Sequence, residues 1–172
     1  MRIFLIGFPG SGKTTIGKRL AEPIGFDFVD TDTCIEQREG TTVARIFAER
    51  GRAAFRKIEH DVLQELMQRD FVVISTGGGM PCFHGNMDAM LAGGKTVYLR
   101  TNPETLVERL MHSKTERPLI QGKTKDELQR YIEEELSERE RFYERAHIAV
   151  QTERFSMDQL LRSLQLMKPE HE

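Results

Sequence analysis

Short apolar runs alternate along this chain with longer stretches whose apolar residues recur every three or four positions. Ile3-Phe-Leu-Ile6 is the first run, bulky throughout, and predicts a buried strand. From Lys13 the period changes, with Ile16, Leu20 and Ile24 on one side of a helix and Lys18, Arg19 and Glu22 on the other. Gly25 is the expected C-cap. Phe26–Val29 predicts a second strand that runs into Asp30-Thr31-Asp32. A helix over 33–39 is expected next, with Thr33 and Glu36 at capping-box spacing and Gly40 as its stop. Thr41 or Thr42 opens another helix, whose face of Val43, Ile46 and Phe47 resumes beyond Gly51 as Phe55, Ile58, Val62 and Leu66. Phe71–Ile74 predicts a third strand, apolar throughout and so buried on both faces. Thr96–Leu99 and His147–Val150 predict the fourth and fifth. Helices are expected over 83–92, from Asn102-Pro103 to Leu110, from the capping-box pair Thr124 and Glu127 to Tyr143, and over 156–167.

Strands alternating with helices imply a parallel sheet covered on both faces. Ligands in such folds sit beyond the carboxyl ends of the strands. That rule gathers 7–13, 30–32 and 76–80 on one edge. Residues 112–124 are polar and basic with little period, and a loop of that length inside a compact domain is often a lid.

The first of these loops carries a specific pattern. Gly7 to Thr14 reads G-x-x-x-x-G-K-T between a strand and a helix, the arrangement of a phosphate-binding loop. Its glycines let the backbone turn its N–H groups toward an anion, and the following helix N-terminus adds more. Lys13 supplies a full charge to the β- and γ-phosphates, and the Thr14 hydroxyl is placed to ligate Mg²⁺. The loop predicts a nucleoside triphosphate and leaves the acceptor open.

Composition narrows the remainder. A chain of 172 residues with formal charge −2 and mixed signs suits one domain and offers no polyanion-binding surface. Cys34 and Cys82 stand apart, as free thiols of a reducing compartment would. No stretch approaches the ~20 apolar residues of a membrane span. The expectation is a cytoplasmic monomer that binds neither nucleic acid nor membrane.

Four further features carry candidate chemistry. Asp30 and Asp32 follow the second strand, where one carboxylate can hold Mg²⁺ through water and the other can take an acceptor hydroxyl. Capping of the next helix by Asp32 or Thr33 is the plainer reading. Gly77-Gly78-Gly79 suits close approach of a ligand or a tight turn. Arg139 falls within the apolar stripe Leu128, Ile132, Leu136 and Tyr143, so it points inward, toward a ligand carboxylate or the stripe's edge. Arg56 and Glu59 are spaced to pair on one helix, and Arg117 lies in the 112–124 segment. A lid arginine there would stabilise charge on a transferred phosphoryl group while the lid excludes water.

In order, G-x-x-G-x-G-K-T, D-T-D, F-R-x-x-E from Phe55 to Glu59, T-G-G-G, R-P-L from Arg117 to Leu119 and R-x-x-x-Y from Arg139 to Tyr143 resemble the shikimate kinase family. The resemblance runs from Arg2 to about Val150, and its ordered combination is far more specific than any one motif. It implies a P-loop, NMP-kinase-like α/β fold, a three-layer α/β/α sandwich on a five-stranded parallel sheet. One domain over 1–168 would hold a core of 1–30, 62–111 and 143–168, a shikimate-binding segment 31–61 and a lid 112–124, with 169–172 frayed. The implied reaction is ATP-dependent phosphorylation of the 3-hydroxyl of shikimate, on the chorismate route to aromatic amino acids. Carried over by position, Gly10, Ser11, Gly12, Lys13, Thr14 and Thr15 bind the ATP phosphates. Thr14 ligates Mg²⁺, with Asp30 in its outer sphere. Asp32, Arg56, Gly77, Gly78, Gly79 and Arg139 hold shikimate, with Glu59 supporting Arg56. Arg117 reaches the phosphates, and Arg109 is the candidate to stack on adenine. Lys13, Asp32 and Arg117 form the catalytic set. Two rivals remain: another small-molecule kinase of this fold, acting on gluconate or a nucleoside monophosphate, and a regulatory nucleotide-binding module without phosphotransfer.

Overall fold

Side-chain alternation in the first strand sorts the protein into two cores. In the computed structural model, which describes residues 1–114 and 120–166, β1 (Arg2–Ile6) sends Phe4 and Ile6 to one face of the sheet. Ile3 and Leu5 go to the other face. The remaining strands are β2 (Asp27–Asp30), β3 (Val72–Ser75), β4 (Lys95–Arg100) and β5 (Ile148–Gln151). All pair in parallel, in the order β2-β3-β1-β4-β5. Phe4 lies level with Ile74 on one side and Thr96 on the other, so β1 is buried between neighbours.

Seven helices are described, α1 (Lys13–Ile24), α2 (Thr31–Glu39), α3 (Val43–Leu66), α4 (Asn86–Gly93), α5 (Pro103–Met111), α6 (Lys125–Tyr143) and α7 (Met157–Ser163). The Ile3 and Leu5 face packs on Ile16 and Leu20 of α1 and Leu160 of α7. The Phe4 and Ile6 face packs on apolar residues of α3, α4, α5 and α6, among them Leu63, Met90, Leu106 and Ile132. The result is the three-layer α/β/α sandwich on a five-stranded parallel sheet.

Several element boundaries move, each for a local reason. α2 begins at Thr31, two residues before the expected start, because the Asp30 carboxylate accepts from the N–H groups of Asp32 and Thr33. The expected Thr33–Glu36 box does not form. Glu36 instead accepts from the Val43 N–H, 3.1 Å, and ties α2 to α3. α3 begins after Thr42 and is kinked at Gly51, whose φ of 84° is left-handed and suits a residue without Cβ. β3 starts at Val72, since Phe71 has φ 53° and is exposed. A 3₁₀ turn over Met80–Cys82 delays α4 to Asn86. The Thr124–Glu127 box does form, with both reciprocal bonds, and starts α6.

Candidate active site

The donor side begins where β1 ends. Gly10 and Gly12 take φ 88° and 95°, which lets the loop curl over the α1 N-terminus. Lys13 is buried, and its Nζ donates to the carbonyls of Gly7 and Phe8 at 2.7 and 3.0 Å. Ser11 is fully buried, and its backbone N–H donates to the Phe8 carbonyl at 3.1 Å. A cavity of about 470 Å³ opens above the loop, lined by Gly10, Gly12, Lys13, Thr14, Thr15 and Asp30. Within it the Thr14 hydroxyl donates to Asp30 Oδ2 at 2.9 Å. Two hard oxygen donors thus converge beside a phosphate-sized space. That suits Mg²⁺, which takes few protein ligands and completes its sphere with phosphate and water.

A second cavity, of about 440 Å³, lies alongside. Pro9, Asp32, Gly77 and Gly78 line both, so the two spaces meet along these residues, with Asp32 the charged one among them. The second has an apolar wall that includes Val43, Phe47, Phe55, Leu110 and Ile120, and its charged members include Arg56 and Arg139. Arg56 is 7% exposed and donates to Glu59 Oε2 at 2.7 Å. Its guanidinium carbon lies 4.4 Å from the Phe83 ring centroid, and Nε has no hydrogen-bond partner among the described residues. Burial pushes the Glu59 carboxyl up to about 7, against the pull of Arg56. Arg139 donates to Glu135 Oε2 at 2.9 Å and lies over the Phe8 ring, 5.1 Å from its centroid.

The glycine triplet has a steric purpose of its own. A Cβ on Gly77 would fall 2.8 Å from Glu59 Oε1, and one on Gly79 would fall 2.5 Å from both terminal nitrogens of Arg56. A Cβ on Gly78 would fall 2.5 Å from Pro9 Cδ. Gly79 has φ −91°, so chain freedom is not what it supplies. The triplet lets the charged side chains of the site close onto main chain. Thr31 Oγ1 accepts from the Gly77 N–H at 2.9 Å, and the Tyr143 hydroxyl donates to the Gly78 carbonyl.

The structure therefore brings Asp32, Arg56, Glu59, Gly77, Gly78, Gly79 and Arg139 around one cavity. It sets Lys13, Thr14 and Asp30 around the other. Arg109 lines neither, and its Nη1 donates to the Gly10 carbonyl at 3.1 Å. Arg117 lies outside the described residues. Near the β4 and β5 ends, Gln151 and the Asn102 N–H bond the Glu153 carboxylate at 2.6 and 2.8 Å. Phe8, Thr31 and Glu135 escaped the sequence reading. Glu135 had a signal, since its i,i+4 spacing to Arg139 fits a helix pair. Phe8 had none, because its position in the loop motif accepts any residue.

A profile of the shikimate kinase family matches residues 9–167 of this chain. A shikimate kinase of Azobacteroides pseudotrichonymphae genomovar. CFP2 is 46% identical over 164 residues, covering 95% of this chain and 96% of that protein. The crystal structure of shikimate kinase from Bacteroides thetaiotaomicron superposes with TM-score 0.87 at 43% identity, covering 96% of this chain and 94% of that one. Shikimate kinase from Acinetobacter baumannii, solved in complex with shikimate, superposes with TM-score 0.83 at 34% identity, covering 95% and 90%.

Proposed function

We propose the reaction from one premise: this chain belongs to the shikimate kinase family. It is an ATP-dependent kinase that phosphorylates the 3-hydroxyl of shikimate, yielding shikimate 3-phosphate and ADP. The observation that carries the assignment of roles is the meeting of two cavities at Asp32, one above the phosphate loop and one lined by the buried Arg56 and the half-buried Arg139.

On this reading Arg56 and Arg139 take the shikimate carboxylate. Arg56 has an unpartnered Nε among the described residues, and both guanidinia are held by glutamates. The apolar wall takes the faces of the carbon ring. Asp32 accepts the hydrogen bond of the attacking hydroxyl, aligns it and receives its proton as the new O–P bond forms. Lys13 leaves the Gly7 and Phe8 carbonyls to meet the β- and γ-phosphates. The bond from the γ-phosphorus to the bridging oxygen breaks, and ADP departs with that oxygen. Thr14 and Asp30 would hold Mg²⁺, which when bound neutralises phosphate charge. Residues 112–124 act as the lid that excludes water, with Ile120 in the acceptor cavity wall and Arg117 reaching the transferred group. Most of the rate enhancement then comes from positioning and electrostatics.

A second class of acceptor is less well served. A nucleoside monophosphate would have to present a dianionic phosphate to the donor side at Asp32, whose carboxylate repels it, whereas a neutral hydroxyl can donate a hydrogen bond there. An ADP-release assay with shikimate, gluconate and nucleoside monophosphates tests the choice. Turnover with shikimate at least about a hundredfold above the others is expected, as loss of a paired buried charge costs 2–3 kcal/mol or more. Equal rates would overturn the assignment. ATP binding with no shikimate-dependent turnover would support a regulatory module instead. Among the described residues no helix is long and apolar enough to cross a membrane. The enzyme is proposed to act as a cytosolic monomer, which sedimentation at working concentration tests.

A further inference from the structure

We propose that Phe8, inside the donor loop, is a positioning residue for the acceptor. Its ring is the seat on which Arg139 lies to receive the acceptor carboxylate. The inference rests on the assignment of Arg139 above.

The main chain and side chain of Phe8 serve different sides of the cleft. Its carbonyl accepts from Lys13 Nζ at 3.0 Å, so the backbone belongs to the phosphate loop. Its ring turns the other way, is 3% exposed and lines the acceptor cavity. The Arg139 guanidinium carbon lies 5.1 Å from the ring centroid, within cation–π range. Glu135 holds one terminal nitrogen at 2.9 Å. Gly78 leaves room beside the other, since a Cβ there would lie 3.1 Å from Arg139 Nη1. The Tyr143 hydroxyl in turn anchors the Gly78 carbonyl. Arginine carries many rotatable bonds, and each contact removes freedom that carboxylate binding would otherwise have to remove. An aromatic face also holds the guanidinium without using an N–H donor, so those not engaged by Glu135 or Tyr143 stay available to a carboxylate. An aliphatic residue at this position would fill the space without supplying the ring quadrupole.

The test is steady-state kinetics on Phe8→Leu, Phe8→Tyr, Arg139→Ala and the Phe8→Leu/Arg139→Ala double variant. Phe8→Leu should raise the shikimate KM about three- to tenfold, the range of a partly buried cation–π contact. The ATP KM should change by a smaller factor. Phe8→Tyr keeps the ring and should keep the native shikimate KM. In the Arg139→Ala background, Phe8→Leu should add nothing. A shikimate analogue with the carboxylate replaced by a hydroxymethyl group should not distinguish Phe8→Leu from native protein. If Phe8→Leu melts below the assay temperature, Phe8→Met, with similar volume and no ring, takes its place. A normal shikimate KM in Arg139→Ala overturns the underlying assignment. A raised KM there, with a normal or additive effect of Phe8→Leu, overturns this inference alone. Parallel rises in both KM values for Phe8→Leu would also overturn it.

Discussion

Replacing Gly79 by alanine separates two reasons for a glycine. If it served only chain freedom, alanine at φ −91° would fit and would stabilise the protein by about 0.4–1 kcal/mol through the unfolded state. The structure says otherwise, because the new Cβ would sit 2.5 Å from both terminal nitrogens of Arg56. Ordinary contact begins near 3.4 Å, so the guanidinium must retreat by about 1 Å. It has little room, lying 7% exposed between aromatic rings and bonded to Glu59 at 2.7 Å. A retreat of that size breaks a buried charge-assisted bond worth roughly 1.5–3 kcal/mol. Offset by the gain from alanine, the net loss is about 1–2 kcal/mol, a fall in Tm of roughly 2–8 °C for a chain of this size. The functional cost is larger in relative terms. Moving one arginine of the carboxylate grip forfeits another contact of the same kind, raising the shikimate KM about ten- to a hundredfold. Calorimetry and shikimate titration at saturating ATP read the two effects separately. A Gly79→Ala protein with native or higher Tm and native KM would refute the steric argument.

Other outcomes follow from the same geometry. Lys13→Ala should lower turnover by at least about a hundredfold, since the lysine charge matters most as phosphoryl charge develops. It should leave shikimate affinity near native, and an equal loss in both would count against the division between cavities. Thr124→Ala removes one half of the α6 capping box and should cost about 1 kcal/mol in denaturant unfolding, with no change if the cap is redundant. Glu59 gives a pH prediction. Its folded value, raised by burial from 4.5 to about 7, means the folded state holds the proton more tightly than the unfolded one. Its stabilising contribution is therefore complete below about pH 4.5 and is lost as pH rises through about 7, by on the order of 3 kcal/mol. Glu59→Gln should become more stable relative to native protein across that window, whereas parallel pH–stability curves would contradict the assignment.

Much of the architecture was legible because its signals are local. The apolar run Ile3–Ile6 and the 3.6-residue period after Lys13 locate a strand and a helix in correct order. The Thr124–Glu127 spacing marks the start of α6, where both cap bonds form. At Asp30 two local rules competed. The sequence offers several capping residues in a row, and the one that wins is the one that also reaches Thr14 across the sheet edge.

The sequence alone determined the alternating α/β order, the phosphate loop and an inward arginine on α6. Each is written in the spacing of neighbours along the chain, and spacing is what strand pleat and helix pitch convert directly into position. Tertiary structure decided which groups from separate segments meet. Only the parallel stacking of β2, β3 and β1 puts Asp32, Gly77 and the donor loop side by side. Only that packing makes Gly79 a space for Arg56 and Phe8 a floor for Arg139. Those contacts span tens of residues, and no local period encodes which of many possible partners a long side chain will reach once the sheet has formed.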